Sequence, residues 1–235
     1  MGAVLVRKLI SLEIKKFKLI SYIKSVLIAN VVVMGVLCML YFAEKSDGNI
    51  AFPSYDMAFG AFGSIIRSIF IIFAAVLISR LIIDEYKSNS ISLMFMYPIN
   101  RKKIIISKLI IVACFTFLTI FLSNIFVGSM FYLADSYFHF VPKALTTDVL
   151  VNGFLSMTLG AVASTGMALI PLYFGMRKKS VPTTIVSAIV LVSISSSSTD
   201  NVNLFSFIVV PIALALAGCV IAYLSFRNIE KVDIN

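Results

Sequence analysis

Charge is scarce in this 235-residue chain: 13% of its residues are Asp, Glu, Lys or Arg, 60% are hydrophobic, and the mean hydropathy is +1.03. Soluble domains carry about 25% charged residues, so water is excluded as the main solvent. Histidine is scarcer still. His139 is the single one, which rules out a two-histidine zinc helix of the HExxH kind. No GxSxG elbow occurs and no cysteine stands beside a histidine, so an intramembrane hydrolase lacks its nucleophile–base pair. Cys38, Cys114 and Cys219 all fall inside apolar runs, where they read as small hydrophobes in helices. Carboxylates are missing from the middle of every apolar run, where proton-driven carriers commonly keep one. There is also no GxxxxGK[ST] loop to cradle nucleotide phosphates, so this chain cannot itself hydrolyse ATP by the usual P-loop route.

What remains is an alternation. Six apolar runs are long enough to be candidate spans: about Ser25 to Phe42, Phe59 to Ile83, Ile104 to Leu133, Val149 to Phe174, Val181 to Ser195 and Phe205 to Phe226. The third and fourth have length to spare for tilt or a kink. The fifth is short and runs into the polar stretch Ser193, Ser195 to Ser198, Thr199 and Asp200, which is either a loop or a re-entrant turn. Between the runs, basic residues collect on alternate sides. Arg7, Lys8, Lys15, Lys16, Lys18 and Lys24 precede the first run. Arg80, Lys87, Arg101, Lys102, Lys103 and Lys108 join the second to the third, Arg177 to Lys179 join the fourth to the fifth, and Arg227 and Lys231 follow the sixth. The other connections hold only Lys45 and Lys143, against Glu44, Asp47, Asp56, Asp135, Asp148 and Asp200.

Short basic loops face the cytoplasm, so the pattern predicts an all-α protein of six transmembrane helices with both termini inside. The formal charge of +9 then reads as loops held against anionic lipid, not as a nucleic-acid surface. Residues 1–24 set Leu5, Leu9, Leu12, Phe17 and Ile20 among the basic residues at roughly helical spacing, which predicts an amphipathic interfacial helix; a solvated basic arm is the alternative. A cleaved signal peptide fits less well, because the apolar run is long and no small-x-small site precedes a soluble domain. The outer loop Ala134 to Asp148 interleaves Tyr137, Phe138 and Phe140, as an interfacial belt does. Residues 1–235 read as a single transmembrane domain.

The inner connection from Ile82 to Ile110 has the most internal order. Asp84 and Glu85 open it, suiting the positive end of a helix dipole, and Pro98 closes it. In between, Ile91, Leu93, Met94, Phe95 and Met96 give a short helix over 84–98 an apolar stripe that either docks on a partner or lies on headgroups. Here the residues resemble the permease subunits of ABC-2 type transporters. The matching positions are Glu85, Ser90, Leu93, Pro98, Ile99, Arg101 and Lys108, whereas Asn89 to Ser92 departs from the Gly-Thr and Leu-Glu often found there.

Among such permeases the chain is most similar to the short bacterial ones that accompany peptide-toxin export or lantibiotic immunity, as in export of phenol-soluble modulins. The resemblance implies a plasma-membrane exporter subunit of hydrophobic or amphipathic cargo, membrane-active peptides first. It implies a homodimer engaging two copies of a separate ATPase, which would hold the ATP and Mg; no cofactor or metal is expected in this chain. The coupling helix would comprise Asp84, Glu85, Ser90, Leu93, Met94, Phe95, Met96, Pro98 and Arg101. Two other classes stay open: an ion-coupled secondary carrier, and a scaffold or pore that does not transport.

Three further features lie in the spans. Arg67, about eight residues from the outer end of its run, either contacts a substrate carboxylate or a partner permease, or snorkels outward or sits in a structural ion pair. In the fourth run Gly153, Gly160, Ser164 and Gly166 lie in small-residue steps with Pro171 beyond them, and in the sixth Ala213, Ala217, Gly218 and Ala222 do the same. Both stripes predict close helix packing, chiefly within the chain.

Overall fold

The computed structural model describes residues 13, 20–48, 52–87, 101–138, 141–142, 145–196 and 209–227. These residues are helical apart from short connections, and no strand occurs among them. The helices are α1 (Ile20–Ser46), α2 (Tyr55–Ile78), α3 (Asp84–Lys87), α4 (Arg101–Phe138), α5 (Thr147–Met167), α6 (Pro171–Lys178), α7 (Val181–Ser196) and α8 (Val209–Arg227), with a π-helical turn, Ser79–Ile83, between α2 and α3. Among the described residues, four stretches are long and apolar enough to cross a membrane: Tyr22–Ser46, Tyr55–Ile83, Ile104–Tyr137 and Thr147–Lys178. Val181–Ser196 and Ile212–Ser225 are shorter apolar helices. The protein is thus a multi-pass helical membrane protein.

Local chemistry sets several of the boundaries. Ser54 caps α2, its Oγ accepting from the Met57 N–H at 3.5 Å, and Asp56 stands in the first turn where the helix dipole favours a carboxylate. Pro171 has no N–H to give to Met167, and the chain crosses 168–170 in tight turns before α6 resumes. The fourth run is therefore broken in two. The third, with comparable spare length, is the unbroken 38-residue α4, about 57 Å long, so it extends well beyond a core of about 30 Å. At 16 residues, or about 24 Å, α7 falls short of a full crossing. Ser193, Ser195 and Ser196 are its last turns, while Ser197 to Asp200 lie outside the described residues.

The predicted interfacial helix over 1–24 lies outside the described residues apart from Glu13 and Ile20 to Lys24, and these last five belong to α1. One expectation requires correction: no new helix opens at Asp84. That residue is helical (φ −63, ψ −39), its N–H is given to the Ser79 carbonyl, and the backbone winds from Tyr55 to Lys87 through the π turn without stopping. Asp84 and Glu85 therefore extend the second membrane helix, and the favourable-dipole argument for them fails.

Helix α2 is the centre of the bundle. Eleven of its residues are buried, and α4, α5 and α7 pack on it. Two apolar cores lie along its length. The one at its C-terminal end gathers Leu77, Ile78, Leu81 to Ile83, Leu109, Val112 and Leu172; the one at its N-terminal end gathers Phe62, Ile66, Phe70, Ile120, Val127 and Phe131. By contrast α1 lies outside, exposing Leu27, Ile28, Val31, Met39 and Phe42, as a helix in lipid can do without cost.

The small-residue stripes of the fourth and sixth runs pack against each other. A Cβ added to Gly218 would come within 1.9 Å of the Gly166 carbonyl oxygen, and one on Gly166 within 2.4 Å of the Ala215 Cα. Here α5 and α8 touch backbone to backbone, which only glycine permits.

Candidate functional site

Three segments of the chain meet at one ammonium group. Lys108, 2% exposed near the start of α4, donates from Nζ to the Leu81 carbonyl at 2.7 Å and to the Glu85 carboxylate, and its Nζ lies 3.7 Å from Oε1 of Glu13. Both carboxylates are buried, Glu13 at 5% and Glu85 at 8% exposure. Glu13 comes from the N-terminal arm, Glu85 from α3, and Leu81 from the π turn. A π turn carries one extra residue per turn and recurs at functional positions. Here its Leu81 carbonyl faces the lysine.

The electrostatics make this an anchor. A lysine carries three donors and no acceptor, so it binds acceptors from several directions. Taking its charge out of water costs several kcal/mol, and two carboxylates with a carbonyl offset that cost only while all are in place. Such a cluster makes and breaks no bonds. It can tie three chain segments to the foot of α4 so that they move together.

This arrangement alters the standing of the predicted residues. Glu85 is buried against Lys108 and presents no carboxylate to a partner, while its neighbour Asp84 is exposed. Ser90, Leu93, Met94, Phe95, Met96 and Pro98 lie outside the described residues; Arg101 begins α4. Glu13 was not foreseen as a site residue. Its signal was present, as the one acid among the six basic residues of the N-terminal arm. Lys108 was counted with the loop charges, but it is buried in the protein and unavailable to headgroups.

Arg67 lies deeper than the bounds of its apolar run suggest. With α2 starting at Tyr55 it lies twelve residues along the helix, about 18 Å, too deep for simple snorkelling. Its guanidinium turns inward: a Cβ on Gly160 would stand 2.8 Å from Nη1, and one on Gly63 3.7 Å. The two glycines make the room it occupies between α2 and α5. Ser64, Ser68, Ser195 and Ser196 line a cavity of about 20 Å³ beside it, large enough for one water. The Ser68 and Ser196 hydroxyls are 3.2 Å apart across that cavity. The serine-rich end of α7 thus closes on the arginine.

A bundle of apolar helices with a buried ionic anchor at one end and an arginine among hydroxyls further along defines an integral membrane protein suited to moving as linked parts. Residues 9–195 match the model of the ABC-2 family transporter proteins. The chain belongs to that family, whose permeases are membrane transport subunits, generally non-catalytic, that generally work with a separate ATPase subunit. The uncharacterized protein YcbO of Bacillus subtilis (strain 168) is 41% identical over 225 residues, covering 96% of this chain and 99% of that protein. No solved structure matches.

Proposed function

We propose that this chain is the membrane-spanning permease of an ATP-driven ABC exporter, moving hydrophobic or amphipathic cargo, membrane-active peptides first, across a bacterial cell membrane. The observation that carries the reading is the Glu13–Lys108–Glu85 cluster in a member of a transporter family. In this proposal all six apolar helices cross, both termini and the basic ends face the cytoplasm, and two copies pair. ATP and Mg reside on the partner ATPase, and no cofactor is held here.

Mechanically, the ATPase grips the segment 84–98, with Leu93 to Met96 as the apolar contact, Asp84 and Arg101 as exposed and flanking charges, and Ser90 and Pro98 shaping the segment. Glu85 does not touch the ATPase. It receives the displacement and passes it through Lys108 to α4, while Glu13 couples the N-terminal arm to the same movement. A buried ion cluster suits that task because its members cannot separate without exposing unpaired charge to a medium of low polarity. Arg67 stands beyond the anchor along α2, where movement of α2 against α5 and α7 would alter its hydroxyl-lined surroundings.

The test is reconstitution of the chain with and without its ATPase subunit, reading ATP hydrolysis and peptide movement. Co-purification, and turnover that depends on peptide and on the Leu93 to Met96 face, are the expected results. Peptide movement in the absence of any ATPase would instead mark a secondary carrier. An ATPase that never associates would sink the exporter reading.

A further inference from the structure

At the end of the bundle opposite the lysine anchor, α2, α4 and α5 separate to leave an apolar groove of about 570 Å³, within the range of about 300–1,000 Å³ typical of ligand sites. Tyr55 and Phe59 of α2 form its back, Tyr132 of α4 and Phe154 of α5 its rim, and Asn124 and Met157 its inner limit. The rim is open, with Tyr132 53% and Phe154 51% exposed. From Asn124 to Tyr132 is eight residues of helix, so the groove is about 12 Å deep, close to two turns of a helix laid alongside.

The mouth is acidic. Asp135 continues the groove-lining face of α4, one turn past Phe131 and Tyr132, and is held by two donors: the Tyr55 hydroxyl and the Val141 N–H at 2.8 Å. Asp56, exposed, stands on α2 one turn before the groove-lining Phe59. Asp148 lies in the first turn of α5, at the same end. Lys45 at the end of α1 sets its Nζ 5.4 Å over the Tyr41 ring; Lys143 belongs to the adjoining loop and lies outside the described residues. The inner end is polar: Asn124, 3% exposed, donates from Nδ2 to the Ile120 carbonyl at 2.9 Å, and its Oδ1 makes no hydrogen bond. Arg67 lies behind it, away from the acidic mouth, since a Cβ on Gly63 would stand 3.8 Å from Asn124 Oδ1 and 3.7 Å from Arg67 Nη1.

We propose that this groove seats the apolar face of a cationic amphipathic peptide, with the peptide's positive residues at Asp56 and Asp135. This deepens the exporter reading and rests on it for the direction of movement. Anionic phospholipid suits the groove poorly, since its headgroup would face carboxylates. Its acyl chains also offer Asn124 no donor, whereas a peptide does. Depth selects for apolar residues spaced over two helical turns, and the mouth selects for charge.

The chain contains no tryptophan, so Phe154→Trp gives a single fluorophore on the rim. The full chain goes into nanodiscs of brominated phosphatidylcholine without ATPase, where bromine quenches a tryptophan that lipid touches. A synthetic Leu/Lys amphipathic helix should relieve the quenching saturably, and its Leu/Glu counterpart should need about tenfold more. Asp56→Asn, at an exposed position, and Asp135→Asn, which keeps a carbonyl oxygen for the Val141 N–H and an amide that can donate to the Tyr55 oxygen, should each narrow that difference by about threefold. Ser129→Phe, which fills the groove from an exposed lining position, should abolish relief. A tryptophan at Phe42, 58% exposed on α1, should show none.

Equal potency of the two peptides, no relief at all, or relief that survives Ser129→Phe overturns the proposal. So does relief by dodecyltrimethylammonium with none from peptide, which would assign the groove to small cationic amphiphiles. Because no ATPase is present, binding here without ATP-driven movement leaves the groove standing and removes the exporter reading; ATP-driven movement without binding here does the reverse.

Discussion

The two ends of this bundle handle polarity in opposite ways. At the basic end Lys108, Glu13 and Glu85 are buried together, and the apolar core closes around them from α2, α4, α6 and the π turn. At the other end the aspartates stay near the surface, the helices part, and the apolar lining of the groove is left open. An interior charge cluster resists separation of its members, whereas an apolar groove adapts to what fills it. The difference teaches where rigidity and where access lie: the chain segments that would meet an ATPase are fastened together, and the segments that would meet cargo are not.

Breaking the fastened end should have the largest effect. Lys108→Met leaves two buried carboxylates without their shared cation, and loss of about 3–5 kcal/mol is expected, read as a fall in detergent-resistant folded protein. Replacing all three charges, with Glu13→Leu and Glu85→Leu added, should recover most of that stability, because a well-packed apolar cluster substitutes for a buried ionic one. Peptide-dependent ATPase turnover should not return. Recovery of both stability and turnover in the triple variant would show that the cluster is mere packing and leave the basic end without a mechanical role.

The second effect bears on what joins the ends. Gly218→Leu forces a side chain into the Gly166 backbone, where even a Cβ would be 1.9 Å from the carbonyl oxygen. Helices α5 and α8 must separate, at an expected cost of about 1–3 kcal/mol in thermal unfolding in detergent. Gly35 has nothing within 4 Å of an added Cβ, so Gly35→Ala should be neutral or slightly stabilising by comparison.

How much of this could be read from residues alone differs between the ends for physical reasons. Apolar length, small-residue spacing and proline are local properties, so the helices, a kink near Pro171 and close packing at the two small-residue stripes were legible, but not that α5 and α8 pack on each other. Burial of a charge is not local. Lys108 looks like any loop lysine until the chain returns Glu13 and Glu85 to it. The helix interruption expected at Asp84 was misplaced because an acidic pair can equally extend a helix whose carboxylate is held by a lysine from the next one. The sequence leaves Arg67 open between substrate or partner contact, snorkelling and an ion pair, since the space that turns it inward is made by Gly160, distant in sequence. The groove left no periodic signal, because its lining alternates between lipid-facing and core-facing positions on three helices.

The smallest expected effect sharpens the comparison at the open end. Tyr55→Phe removes the hydroxyl that donates to Asp135 but leaves the ring against Phe59, their centroids 6.1 Å apart. Asp135 retains the Val141 N–H at 2.8 Å, so it loses one of two donors and remains half-buried. A cost of about 0.5–1.5 kcal/mol in thermal unfolding is expected, well below that of Lys108→Met. Freed of its tyrosine, the carboxylate has more acceptor capacity for a cation at the mouth, so affinity for the Leu/Lys peptide should hold or rise. A loss of affinity as large as that of Asp135→Asn would mean that the hydroxyl, and not the charge, is what the peptide meets. The acidic mouth would then be a structural brace like the lysine cluster, and the contrast between the two ends would disappear.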